Sequence, residues 1–270
     1  MRGRSDLAHS SSLIQVKLPP STGIIFPIGP FPRPIMARRN FVVSTPQAAA
    51  RYLPREEALL IASLLALTGG YLDAYTWIVH RAFANAQTAN LVFLWVYATG
   101  GEWGKALHYV PPLFAFMLGV IMASCLRKFV PDKAPEISVV TEIVFLFIIA
   151  ILHNRLPGVA GTLGLSFVAA FQTASFPKVE GWSYSSVLAT SNFRCTIEGL
   201  FAAFAGSPEA RPFRRSYVFG TMCVAFGVGA AIGALMTEMT RAYSLTVPVT
   251  LLLVVLLVCE LTTAKEWRWS

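Results

Sequence analysis

Charge is scarce in this sequence: Asp, Glu, Lys and Arg make up 13% of its 270 residues, against about 25% in soluble domains. Ala58 to Leu72 and Val247 to Cys259 contain no charged residue. That excludes a conventional soluble domain with a charged surface. Cysteine is also scarce. Cys125, Cys195, Cys223 and Cys259 lie far apart, with no CxxC pair, so neither a disulfide framework nor a metal or redox site is expected. Each sits in or beside an apolar segment, where a cysteine acts as a small hydrophobe. The histidines, His9, His80, His108 and His153, are equally scattered. No Ser/His/Asp or Cys/His arrangement and no phosphate loop is legible, so the expectation is a non-enzyme without a cofactor or metal.

Hydrophobic residues, by contrast, make up 55% of the chain. They gather in runs of the length, roughly 17 to 25 residues, that a helix needs to cross a bilayer. Six long segments cover about 57–79, 109–126, 137–153, 157–176, 216–237 and 245–260. Two shorter ones, about 88–101 and 190–206, are marginal. Fourteen helical residues reach only about 21 Å, and the second carries Arg194 and Glu198. The expected fold is all-α: a polytopic membrane bundle of about six spanning helices plus two short or re-entrant ones. Residues 1–54, rich in Ser, Pro, Gly and Arg, read as a disordered tail, with Met36 as an alternative start. Residues 55–262 form the membrane domain and 263–270 a short cytoplasmic tail.

The net charge is +8, from 22 basic and 14 acidic residues. The basic residues sit mainly in the connections and the tail, so they read as topology signals and contacts to anionic head groups rather than as a nucleic-acid surface. With six spans and the N-terminus inside, 12 of the Lys and Arg residues from Arg51 onward fall inside and four outside. Eight spans erase that bias. The positive-inside rule therefore favours six spans with both termini cytoplasmic.

The two short segments are related. Gln87-Thr88-Ala89-Asn90 opens the first, and Ala189-Thr190-Ser191-Asn192 opens the second. Each follows one long segment and precedes two more. With three spans per unit, the second unit enters from the opposite side. This predicts an inverted repeat, 55–155 and 156–262, an architecture common among secondary transporters.

Polar residues inside apolar runs are costly and usually find a partner or a wet cavity. Asp73 lies in the first span and Gln172 at a comparable place in the second unit. Thr88, Asn90, Thr190 and Asn192 read as N-caps of the short helices, whose free amides could also meet a bound group. The candidate solute- or ion-binding set is Asp73, Gln87, Thr88, Asn90, Gln172, Thr190 and Asn192. Arg194 and Glu198, four apart, share a helix face. Glu142 and Glu238 read as interfacial. Gly229 and Gly233, in GxxxG spacing, mark close helix packing.

At Gly69-Gly70-Tyr71-Leu72-Asp73-Ala74 and Phe83-Ala84-Asn85-Ala86-Gln87-Thr88-Ala89-Asn90 the sequence resembles the YoaK-like family of small integral membrane proteins, a domain of unknown function. That family's Gly-x-x-Asp helix and Thr-Gly-Asn element recur in weaker form, here as Gln172-Thr173-Ala174 and Thr190-Ser191-Asn192. The resemblance covers roughly 55–262 and implies about six spans in an inner membrane. Ala89 and Ser191 replace the family's central glycines. If glycine there supplies positive φ or close backbone approach, the site is altered in this chain.

Two functional classes lead from the sequence, with an intramembrane enzyme a distant third. The first is a permease for a small solute or ion, with a polar site between the repeats. The second is a non-transporting membrane scaffold. The lipid bilayer is the one definite partner, and the chain is a candidate homo-oligomer.

Overall fold

The computed structural model describes residues 58–152, 155, 158–187, 189–206, 211–241 and 243–266, with side chains in the last segment only as far as Glu260. The tail 1–54, with Met36, lies outside the described residues.

The described chain is helical almost throughout. Helix α1, Leu59–His80, ends where Arg81 turns to a left-handed φ of 56° and its N–H bonds to the Trp77 carbonyl. Helix α2, Gln87–Thr99, stops at Gly100 and Gly101, the latter at φ 77°. A single turn, α3 (Trp103–Ala106), and a 3₁₀ turn lead into α4, Val110–Phe129. Pro111 and Pro112 occupy the first turn of α4, where their missing N–H groups cost nothing. Helices α5 (Ala134–Leu152) and α6 (Gly158–Ser175) follow. A two-residue antiparallel hairpin, β1 (Lys178–Val179) and β2 (Trp182–Ser183), turns through Glu180 and Gly181, both at positive φ. Helices α7 (Ala189–Phe204), α8 (Pro212–Thr240) and α9 (Thr246–Glu266) complete the fold.

Among the described residues, four stretches are long and apolar enough to cross a membrane: Leu59–His80, Trp103–Phe129, Pro131–Leu152 and Pro212–Thr240. The surface agrees with that use. Phe114, Ile121, Phe147, Val224 and Leu235 are each more than half exposed, a density of bare apolar side chains that a water-soluble surface does not carry. The architecture is that of an all-α integral membrane protein. At 13 and 16 residues, α2 and α7 are distinctly shorter than α1 or α8.

Helix α1 is the centre of the bundle. Ile61, Leu65, Tyr71 and Leu72 are buried with Leu146, Leu165, Leu252 and Val255. The Tyr71 hydroxyl donates to the Ser244 carbonyl at 2.5 Å, tying α1 to the α8–α9 turn. The most extensive helix pairs are α1 with α8 and α4 with α6. Both depend on glycine. A Cβ on Gly229 would run into the Leu67 backbone, one on Gly233 would lie 2.6 Å from the Tyr71 carbonyl oxygen, and one on Gly119 would strike the Phe167 carbonyl. In lipid, such close backbone approach supplies the dispersion contact that holds helices together. The remaining pairs include α5 with α6, α9 with α1, α2 with α4, α7 with α8, α5 with α9 and α1 with α6.

Candidate functional site

After α1 the chain does not leave along the membrane surface. It turns back down its own helix. The Ala84 N–H bonds to the Thr76 hydroxyl at 3.1 Å and the Asn85 N–H to Asp73 Oδ1 at 2.8 Å. The Asn85 side-chain amide donates to the Gly69 carbonyl at 3.1 Å. These partners step along α1 towards its start. Gly69 lies eleven residues before His80, about 16 Å down the helix at 1.5 Å per residue. The first short helix therefore begins deep in the bundle. Asp73 is a lone carboxylate in an apolar span, and its partners are the backbone donors of this descending loop. The amides of Ala84 and Ala86 flank the same carboxylate.

Asn90 locks the loop from the other side. Its Oδ1 accepts from Phe83 N–H at 3.0 Å, and its Nδ2 donates to the Phe83 carbonyl at 2.8 Å and to Gln87 Oε1 at 3.0 Å. Gln87 in turn donates to the Ala84 carbonyl at 2.7 Å. The loop before α7 is held by one bond of the same kind. Asn192 Nδ2 donates to the Ser185 carbonyl at 3.0 Å, again seven residues upstream. The loop before α7 also descends to Gly69: a Cβ there would lie 2.7 Å from Val187 Cγ1 and 3.9 Å from Asn85 Nδ2. Both loops thus reach the same level of α1.

The capping role expected of Thr88, Asn90, Thr190 and Asn192 needs correction. The helices begin two residues earlier than threonine caps require, at Gln87 and Ala189, so both threonines occupy the second helical position. Ala86, the residue before α2, makes no side-chain cap. The two asparagines hold loops instead. The central Ala89 and Ser191 lie in regular helix without positive φ, so glycine is not required there by backbone conformation.

What the second helical position does is aim the threonines into space. A cavity of about 630 Å³ is lined by Asp73, Trp77, Thr88, Ala89, Thr190 and Phe226, with Phe83, Phe93 and Val187 completing its wall. It lies among α1, α2, α7 and α8, and the starts of both short helices open onto it. Trp77 stacks on Phe83 at 4.9 Å and on Phe93 at 5.5 Å, making a rigid aromatic side. Three of the seven candidate residues, Asp73, Thr88 and Thr190, line this cavity. Gln87, Asn90 and Asn192 brace the loops behind it.

Gln172 is elsewhere. It is buried on α6 against α5, with its Nε2 unpartnered. Beside it lies the carboxylate of Glu142, which is fully buried rather than interfacial. The two side chains approach without closing a hydrogen bond of good geometry. Only the packing of α5 on α6 reveals this; five residues inside an apolar segment, a glutamate is equally placed to reach the head groups. At the surface of α7, Arg194 pairs with Glu198 at 3.7 Å, and Arg215 joins them from α8.

No curated protein and no solved structure matches the chain significantly. A family model described as "Protein of unknown function (DUF1275)" matches residues 61–258, nearly all of the helical bundle and both short helices. The chain belongs to the DUF1275 family.

Proposed function

We propose that this protein is a membrane permease for a small solute or ion, built as two inverted repeats whose re-entrant helices meet at a shared site. The observation that carries the reading is the single cavity onto which Asp73, Thr88 and Thr190 all open. Half-helix starts inside a membrane present unpaired N–H groups, and transporter sites use them at the repeat interface.

The pairing of helices supports the repeat. Exchange α1 with α6, α2 with α7, α4 with α8 and α5 with α9. The α1–α8 pair then becomes α6–α4, α5–α6 becomes α9–α1, and α2–α4 becomes α7–α8. The α1–α6 and α5–α9 pairs map onto themselves, as contacts across a pseudo-two-fold axis should. The asparagine-to-loop bond seven residues upstream occurs once in each half. An inverted repeat with re-entrant α2 and α7 leaves six spans and both termini cytoplasmic. Reporter fusions after Lys128 and after Arg215 are expected to read cytoplasm; a periplasmic signal at either position excludes the six-span arrangement.

The transport test is flux from proteoliposomes. Purified protein is first screened for thermal stabilisation by inorganic ions, amino acids and small organic cations, and the hits are then loaded for counterflow. Asp73→Asn is expected to change the rate or the ion dependence. Ala89→Phe, which fills the cavity from α2 and keeps the Asp73 carboxylate, is expected to stop flux while leaving the protein folded. A second reading, a scaffold that moves nothing, is favoured by one observation: Asp73 Oδ1 is already bonded to Asn85 N–H. No counterflow for any stabilising compound, with Ala89→Phe indistinguishable from wild type, selects the scaffold.

A further inference from the structure

Glu142 lies outside the cavity described above and is used by nothing so far. It sits on α5 with zero exposure, and neither carboxylate oxygen has a hydrogen-bond partner. Three neighbouring polar side chains share that condition. Gln172 Nε2, Ser138 Oγ and Ser175 Oγ are buried and unpartnered.

Their arrangement follows from the register of α5 against α6. Phe145 meets Phe167 with ring centroids 5.4 Å apart, and Gly164 lies against Ile149. Carrying that antiparallel register onward sets Glu142 level with Gln172 and, one turn further, Ser138 level with Ser175. One turn beyond Ser138 is Ala134. Ala134 and Ser175 line a separate polar cavity of about 220 Å³, together with Arg127, Pro131, Phe176 and Lys178. Polar groups therefore run in file from that cavity to Glu142, over two helical turns, or roughly 11 Å.

We propose that Glu142 is a proton-binding site, filled from the Arg127–Lys178 face of the protein through Ser138 and Ser175. With only the Gln172 amide beside it, an ionised carboxylate is among the costliest groups to bury, and binding a proton removes the charge. A metal cation fits less well. Hard cations take six or more oxygens, and no group of three His, Cys, Asp or Glu side chains is assembled among the described residues. A proton needs no coordination shell, and single waters bridging the otherwise unpartnered Ser138 and Ser175 hydroxyls suffice to carry it. The surroundings hold no competing charge. Helix α6 has no ionisable side chain, and Cys259 is the buried titratable group on α9. From α4, Arg127 stands at the mouth while Lys128 is exposed. Asp132 and Lys133 on the preceding turn are exposed, and Glu136 on α5 is half-buried near the same end. The inference does not depend on transport.

Infrared difference spectroscopy of the full chain in lipid tests it. Wild type minus Glu142→Gln at neutral pH is expected to show one protonated-carboxyl stretch that shifts in D₂O. Asp73→Asn should leave that component in place. Glu142→Asp, which keeps a carboxyl, should move the band rather than remove it, and serves if Glu142→Gln does not fold. Ser138→Val with Ser175→Val should slow its hydrogen–deuterium exchange severalfold. Carboxylate bands in place of the acid stretch, or loss of the stretch on adding sodium at constant pH, overturns the proposal. So does exchange unaffected by the double serine change, which removes the route.

Discussion

Replacing Gly229 by valine is expected to remove folded protein from the membrane, the largest effect anticipated at any single position. The reason lies in the α1–α8 seam. Even the first side-chain carbon would sit 2.7 Å from the Leu67 carbonyl carbon and 2.9 Å from its Cα, and closer still to the carbonyl oxygen. These are backbone atoms of the central helix, so no rotamer change relieves the clash. Overpacking a core that can adjust costs about 1 to 3 kcal/mol. Here the helices must part, and with them goes the seam where Gly233 packs against Tyr71 and Gly70 against Phe226. Gly227, two residues earlier on α8, is the control. A Cβ there meets nothing within 4 Å, and Gly→Ala in an unstrained helix gains about 1 kcal/mol in propensity. Gly227→Ala should therefore be neutral or stabilising. Size-exclusion profiles and thermal unfolding in detergent separate the two. Equal behaviour of Gly229→Val and Gly227→Ala would show that the two helices do not approach through this face.

Much of this seam was legible beforehand, because GxxxG spacing states its purpose in the residues themselves. The helix boundaries were legible for a related reason: lipid demands long apolar runs, and α1 begins and ends within two residues of the segment 57–79. The pairing of Thr88 with Thr190 around one space was readable in outline from the duplicated order of segments. The function of the asparagines was not. Asn is a good N-cap, and nothing local says that the helix starts at Gln87, three residues before Asn90. A signal did exist upstream. Placing Phe83–Asn90 beside Ser185–Asn192 aligns two loops of equal length, each with its asparagine seven residues beyond the carbonyl it holds. Glu142 was misplaced because its burial comes from α6, a helix contributed by the other half of the chain. Segment hydropathy carries no information about which face of α5 meets Gln172.

Asp73 and Glu142 show how the same chemical cost is met in two ways. Both are carboxylates within apolar helices, and both are buried. Asp73 recruits main-chain donors from a loop that runs back alongside its own helix. Glu142 has no such loop, since its neighbour on α6 is regular helix whose amides are already used. The descending loop at Asp73 is stabilised by the carboxylate it satisfies, and Gln172, at the comparable place on α6, faces a carboxyl group rather than a loop.

That dependence makes Asn90 the second position of large effect. Asn90→Leu is expected to destabilise the protein by about 2 to 6 kcal/mol. The estimate follows from the groups left behind: the Phe83 N–H and the Phe83 carbonyl both lose their partner, and each buried polar group left unsatisfied costs about 1 to 3 kcal/mol. Gln87 Oε1 loses a donor as well. Asn192→Leu orphans one carbonyl, that of Ser185, so about 1 to 3 kcal/mol is expected there. Leucine is close to asparagine in size and welcome in lipid, so a smaller loss than this would mean that water reaches the loop. The order Asn90→Leu worse than Asn192→Leu is read from thermal unfolding. Local release of the loop is read separately, by thiol labelling at Ala84→Cys. Ala84 is fully buried beneath the loop's own bonds, so the cysteine should be protected in an otherwise unaltered chain and reactive when Asn90→Leu is added. Protection that survives Asn90→Leu would show that the bonds to Asp73, Thr76 and Gly69 hold the loop against α1 without it, and that the asparagine found in both halves is not what fixes the two short helices around the cavity.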